Sequence, residues 1–79
     1  MTELNIKLIH NYCDTDSQLK FYLINNKQIL KVEYIMKNKR VFITLDEQIY
    51  RDKICKNVND IDNFIAETFV ELYKRGYIR

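Results

Sequence analysis

The sequence predicts an α+β domain: an antiparallel β-meander of roughly three to five strands with one C-terminal amphipathic helix packed on one face. Three observations carry this prediction. Successive segments between residues 19 and 46 alternate apolar and polar residues with period 2. A later run, Ile61, Phe64, Ile65, Thr68, Phe69 and Leu72, repeats at helical spacing. With one Gly and no Pro in the chain, clusters of Asn, Asp and Lys mark the turns at 14–17, 25–27, 37–40 and 57–60.

The N-terminal segment has two readings. Leu4, Ile6, Leu8 and Tyr12 fit a strand face, while Leu4, Leu8, Ile9 and Tyr12 fit a helical stripe with Thr2 as its cap. A strand is preferred over a short helix because strong helix formers are few. Asp14, Asp16 and Ser17 then form a turn in which Asp carboxylates accept from nearby backbone N–H groups.

Three strands follow. Over 19–25, Leu19, Phe21 and Leu23 alternate with Lys20, Tyr22 and Ile24. Over 29–36, Leu30, Val32, Tyr34 and Met36 alternate with Ile29, Lys31, Glu33 and Ile35. Over 41–46, Val41, Ile43 and Leu45 alternate with Phe42, Thr44 and Asp46. The connections are short enough to pair each strand with the next. The stretch 47–58 extends the third of these strands, adds another, or turns once as a helix on Ile49, Lys53 and Ile54.

The final helix is the best-marked element. Asn59 or Asp60 caps its start, and Asp60 and Asp62 place negative charge against the positive end of the helix dipole. Lys74 and Arg75 occupy the last turn, and Gly76 follows as the left-handed residue of a Schellman ending that brings Tyr77 back towards Leu72. Glu71 and Arg75 add an i,i+4 ion pair. A helix of about 16 residues is about 24 Å long and matches a seven-residue strand. The expected core sets Phe64, Ile65, Phe69 and Leu72 on Leu19, Phe21, Leu23, Val32, Tyr34 and Ile43.

The 79 residues leave room for one domain, residues 1–79, and the 47% hydrophobic and 30% charged composition is globular. Ten aromatics, six Tyr and four Phe, supply buried area in a chain too short for a large core. The net charge is only +2, with both signs interspersed, where a nucleic-acid binder of this size concentrates Lys and Arg. No stretch of about 18 apolar residues suits a membrane span, and no secretory signal is recognisable. Cys13 and Cys55 are too few and too far apart for a disulfide scaffold. A cytoplasmic setting follows, the host cytoplasm if a phage encodes the chain.

Abundant Ile, Lys and Asn, with single Gly and Ala residues, follow the AT-rich half of the genetic code. A short chain of that composition without catalytic motifs suits a phage or other mobile element.

Each constellation of chemically capable residues has a plainer reading. His10 and Cys13 are spaced like zinc ligands, but a structural site needs about four ligands and the chain offers one close pair. Asp14 and Asp16 lack the downstream carboxylate that completes a calcium loop. One Ser, one His and a single helix-ending Gly supply neither a triad nor a phosphate-cradling loop. No catalytic residue, cofactor, metal or small-molecule substrate is expected, so an enzyme is disfavoured.

Two binding readings remain. In the first, a non-enzymatic protein-binding module, an inhibitor or accessory factor, uses the sheet face turned from the helix. By alternation that face carries Tyr22, Ile24, Ile29, Ile35 and Phe42, and its occupant is a protein partner or a second copy of the chain. In the second, Lys37, Lys39 and Arg40 in one turn and Arg51, Lys53 and Lys56 further on hold nucleic acid, with sheet aromatics stacking bases. Asp46, Glu47 and Asp52 dilute that basic field, which favours the plainer reading of these residues as a solvated hairpin turn and a charged edge that discourages strand pairing, and leaves nucleic acid as the second reading.

Overall fold

The computed structural model describes residues 4–78. Five strands, β1 (Ile6–Cys13), β2 (Ser17–Ile24), β3 (Gln28–Ile35), β4 (Arg40–Leu45) and β5 (Gln48–Ile54), form one sheet in sequence order. Every neighbouring pair is antiparallel. Helix α1 (Val58–Lys74) closes the chain. The α+β meander with one C-terminal helix is thus the fold, the N-terminal segment is a strand, and 48–54 forms a strand of its own.

The turns show how a chain with one Gly reverses direction. Asn25 and Asn26 at β2–β3, and Asp46 and Glu47 at β4–β5, all take positive φ, the mirror-turn conformation that matches strand twist. At β3–β4 only Lys39 takes positive φ, at 58°. Asn and Asp tolerate this region through local hydrogen bonds; Lys and Glu do so at a steric cost. Asp46 offsets its cost, since its carboxylate accepts from Ile29 N–H at 3.3 Å and from Gln28 Nε2 at 3.1 Å. At β1–β2, Asp14 Oδ1 accepts from the N–H groups of Asp16 and Ser17, each at 2.8 Å.

Helix α1 starts two to three residues earlier than the sequence suggests. Asn57, not Asn59 or Asp60, is its cap, and Asn57 Oδ1 accepts from Asp60 N–H at 3.0 Å. The earlier cap wins because its side chain reaches the third N–H of the helix while Val58 to Asp60 are already helical. The C-terminal expectation holds. Gly76 has φ +76°, its N–H donates to Tyr73 O at 3.1 Å, and Tyr77 N–H donates to Leu72 O at 3.0 Å. This is the Schellman pattern. Tyr77 lies edge-on to Tyr50 at 5.9 Å, and Ile78 after it is buried.

The core lies between α1 and one sheet face. Ile61, Phe64, Ile65, Thr68 and Leu72 are buried on the helix, with Ile24, Leu30, Val32, Val41, Ile43 and Cys55 from the strands and the last loop. The Thr68 hydroxyl avoids an unpaired buried donor by bonding Phe64 O at 2.7 Å.

One strand faces the other way from expectation. Register pairs Lys20 with Val32, Tyr22 with Leu30 and Ile24 with Gln28, which places the even residues of β2 beneath the helix. Ile24 is fully buried, and Tyr22 meets Phe69 edge-on at 5.4 Å. Leu19, Phe21 and Leu23 therefore lie on the helix-free face, not in the core. Both alternating sets on β2 are apolar, so alternation cannot choose between them; the β2–β3 turn sets the register and decides.

Candidate functional site

The helix-free face is legible row by row from the registers. One row crosses Lys7, Leu23 and Ile29, and the next crosses His10, Phe21, Lys31, Thr44 and Ile49. A third crosses Tyr12, Leu19, Glu33, Phe42 and Asp52, and a fourth crosses Ser17, Ile35, Arg40 and Ile54. No second layer of the described residues covers these rows.

The rows divide the face into two apolar areas. Lys31 and Glu33, both half-buried, run down the centre on β3. On the β1 side, Leu19, Phe21 and Leu23 form a continuous column. His10 extends it, with its ring edge-on to Phe21 at 6.2 Å and stacked on Tyr12 at 5.6 Å. On the β5 side stands Phe42, flanked by Arg40, whose guanidinium lies 5.6 Å from the ring centre. Arg40 also donates to Asp52, from Nη2 at 2.6 Å and Nε at 2.9 Å. That bonding holds the Asp52 carboxyl below its ordinary range and Arg40 above its own. A shallow hollow between the two areas is lined by Phe21, Ile29, Lys31, Thr44, Asp46 and Glu47.

Of the expected partner-binding residues, Ile29, Ile35 and Phe42 are on this face, whereas Tyr22 and Ile24 belong to the helix-covered one. In Tyr22, burial and the nearby Asp62 charge push the phenol pKa up. The residues that sequence reading missed here are Leu19, Phe21, Leu23, His10 and Tyr12. A bulge between Leu8 and His10 shifts the β1 register, so His10 and Tyr12 share the face with Phe21 while Ile6 and Leu8 lie on the opposite side. Nothing in the period-2 pattern marks that shift.

The basic residues do not make one surface. Arg51 pairs with Glu71 of the helix and lies 5.7 Å from the Tyr50 ring centre. Lys53 Nζ stands 5.3 Å from the Phe64 ring centre, on the helix side of the sheet, and Arg40 is engaged by Asp52. Lys37, Lys39 and Lys56 share one end of the molecule, because Cys55 N–H donates to Lys39 O at 2.9 Å and ties the two loops together.

His10 and Cys13 sit on opposite faces of β1, since His10 pairs with Phe21 and Cys13 with Gln18. Their spacing suits a helix or loop, not a strand, as a ligand pair. Among the described residues, no three His, Cys, Asp or Glu side chains converge on one point. Cys55 is buried, which pushes its thiol pKa up, while Cys13 is exposed. No helix of the described residues is long and apolar enough to cross a membrane.

The chain matches no family model, no curated protein and no solved structure.

Proposed function

We propose that this chain is a non-enzymatic protein-binding module that engages its partner with the helix-free sheet face, centred on the β1–β2 half. The observation that carries the reading is the uncovered column of Leu19, Phe21 and Leu23, continued by the stacked His10 and Tyr12 rings. Aromatic and aliphatic residues at the centre, with Lys7, Lys31, Glu33 and the Arg40–Asp52 pair around them, have the make-up of an interface core and rim. Leu19, Phe21 and Leu23 are half-buried by their sheet neighbours and Tyr12 beside them is exposed, so the column leaves contiguous apolar surface open to a partner. The AT-rich amino-acid usage bears on origin, a phage or other mobile element, and in that setting the module acts as an inhibitor or accessory factor in the host cytoplasm.

Nucleic-acid binding has narrower support. Of the six basic residues this reading uses, Arg40, Arg51 and Lys53 are engaged within the fold, which leaves Lys37, Lys39 and Lys56 at one end to offer phosphate. Few uncompensated cations mean weak, strongly salt-dependent binding.

Tagged protein is incubated with host lysate with and without nuclease, then passed over heparin. The module reading expects a stoichiometric protein partner that survives nuclease, is lost on Phe21→Glu, and is unaffected when Lys37, Lys39 and Lys56 are changed together to Gln. Salt-eluted retention on heparin that disappears in the triple Gln variant, with no nuclease-resistant partner, replaces this reading with the nucleic-acid one.

A further inference from the structure

The two edges of the sheet are not alike. Asn25 N–H donates to Asn5 O at 2.7 Å, and Asp14 N–H donates to Ser17 O at 3.0 Å. Alternation of the antiparallel ladder from these two anchors, through the bulge, directs the backbone groups of Lys7, His10 and Tyr12 towards β2. It turns those of Ile6, Leu8, Asn11 and Cys13 outward, where no strand of the described residues receives them. Side chains on both faces of this edge are also open, with Leu8 at 50%, Ile9 at 41% and Tyr12 at 57% exposure.

Edge strands are ordinarily protected by charges, bulges or covering elements. The opposite edge, β5, has such protection in the consecutive charges Arg51, Asp52 and Lys53 and a bulge at Tyr50. In β1 the bulge lies at its first half, and from Ile9 to Cys13 the strand carries no Asp, Glu, Lys, Arg or Pro.

We propose that β1 pairs antiparallel with β1 of a second copy of this chain, on a two-fold axis at Asn11, and joins the two sheets into one. The register is self-complementary. Asn11, whose backbone groups point outward, exchanges its N–H and C=O with Asn11 of the partner subunit. His10 then stands opposite the partner's Tyr12, so the stacked ring pairs of both copies meet on the helix-free face. Lys7 falls beyond the paired segment, so no like charges oppose each other. A two-fold perpendicular to the sheet keeps both helix-free faces on one side and places the two Leu19–Phe21–Leu23 columns side by side. This pairing uses the strand edge, and it stands independently of whether a foreign protein binds the face.

Sedimentation velocity across a concentration series, into the hundred-micromolar range, tests it. Wild-type protein is expected to shift from one to two chains per particle. Asn11→Lys and Asn11→Asp, which set like charges opposite each other at the axis, are each expected to remain monomeric with unchanged far-ultraviolet circular dichroism. Their equimolar mixture is expected to recover the dimer. Asn11→Pro removes only an outward-facing donor and should also give a folded monomer. A wild-type monomer throughout the series overturns the proposal. So does dimerisation that persists in both charged variants, or that is lost in Phe21→Glu while the charged variants keep it, since the contact then lies elsewhere. If one charged variant unfolds, the other and Asn11→Pro decide by the same criterion.

Discussion

Gly76 and Glu47 adopt similar backbone conformations, at φ +76° and φ 71°, with opposite suitability. A Cβ added at Gly76 would meet nothing within 4 Å, so Gly76→Ala probes backbone strain alone. It is expected to lower stability by about 1 kcal/mol in urea unfolding. Glu47→Gly relieves the same strain where a larger residue bears it, and is expected to raise stability by up to about 1 kcal/mol. The cysteines divide by burial. With Cys55 only 1% exposed and its thiol pKa raised by burial, iodoacetamide at mildly alkaline pH should label Cys13 alone. Mass spectrometry should find the second adduct only after denaturant is added. Asp14 and Asp52 have carboxyl pKa values lowered by backbone N–H groups and by Arg40 respectively. Their stabilisation is present above the unfolded carboxylate value of about 3.9 and is lost as pH falls through the lower folded values. Both are solvent-exposed, so the acid limb of the stability profile should move only slightly in Asp52→Asn.

At the scale of elements, the anchor of α1 is Phe64, which is 4% exposed, whereas Phe69 is half-buried against Tyr22. Phe64→Ala is expected to cost about 3–5 kcal/mol, enough to unfold a domain of this size, and circular dichroism on the purified variant checks it. Asn57→Ala should cost about 1 kcal/mol through the lost cap. The strands β3 and β4 and the C-terminal end of α1 were legible in the sequence because each carries an unambiguous mark. Leu30, Val32, Val41 and Ile43 alternate cleanly, and the only Gly follows Lys74 and Arg75. Strand β2 was legible as a strand but not as a face, since Leu19, Phe21 and Leu23 compete with Tyr22 and Ile24 on equal hydrophobic terms. Its orientation depends on a hairpin register, a pairing between segments that no single segment encodes. The bulge in β1, which brings His10 and Tyr12 onto the candidate surface, is hidden for the same reason.

At the scale of the whole molecule, one helix covers one face of a five-stranded sheet, and the other face carries two apolar areas separated by Lys31 and Glu33. That arrangement is the basis for reading the chain as a binding module, with the β1–β2 half as its centre and Phe42 as its outlying part. Phe21 is the residue on which the reading turns, because it joins the β2 column to His10 and stands opposite Lys31. In Phe21→Glu the new carboxylate has Lys31 across the strand as a partner, so the fold should tolerate it. The most direct measurement is partner capture by this variant beside wild type, with thermal melting of both recorded on the same preparations. Capture should fall at least tenfold with a melting temperature within a few degrees of wild type, the shift expected for a change of about 1 kcal/mol or less. A folded variant that captures the same partner at the wild-type level would contradict the reading.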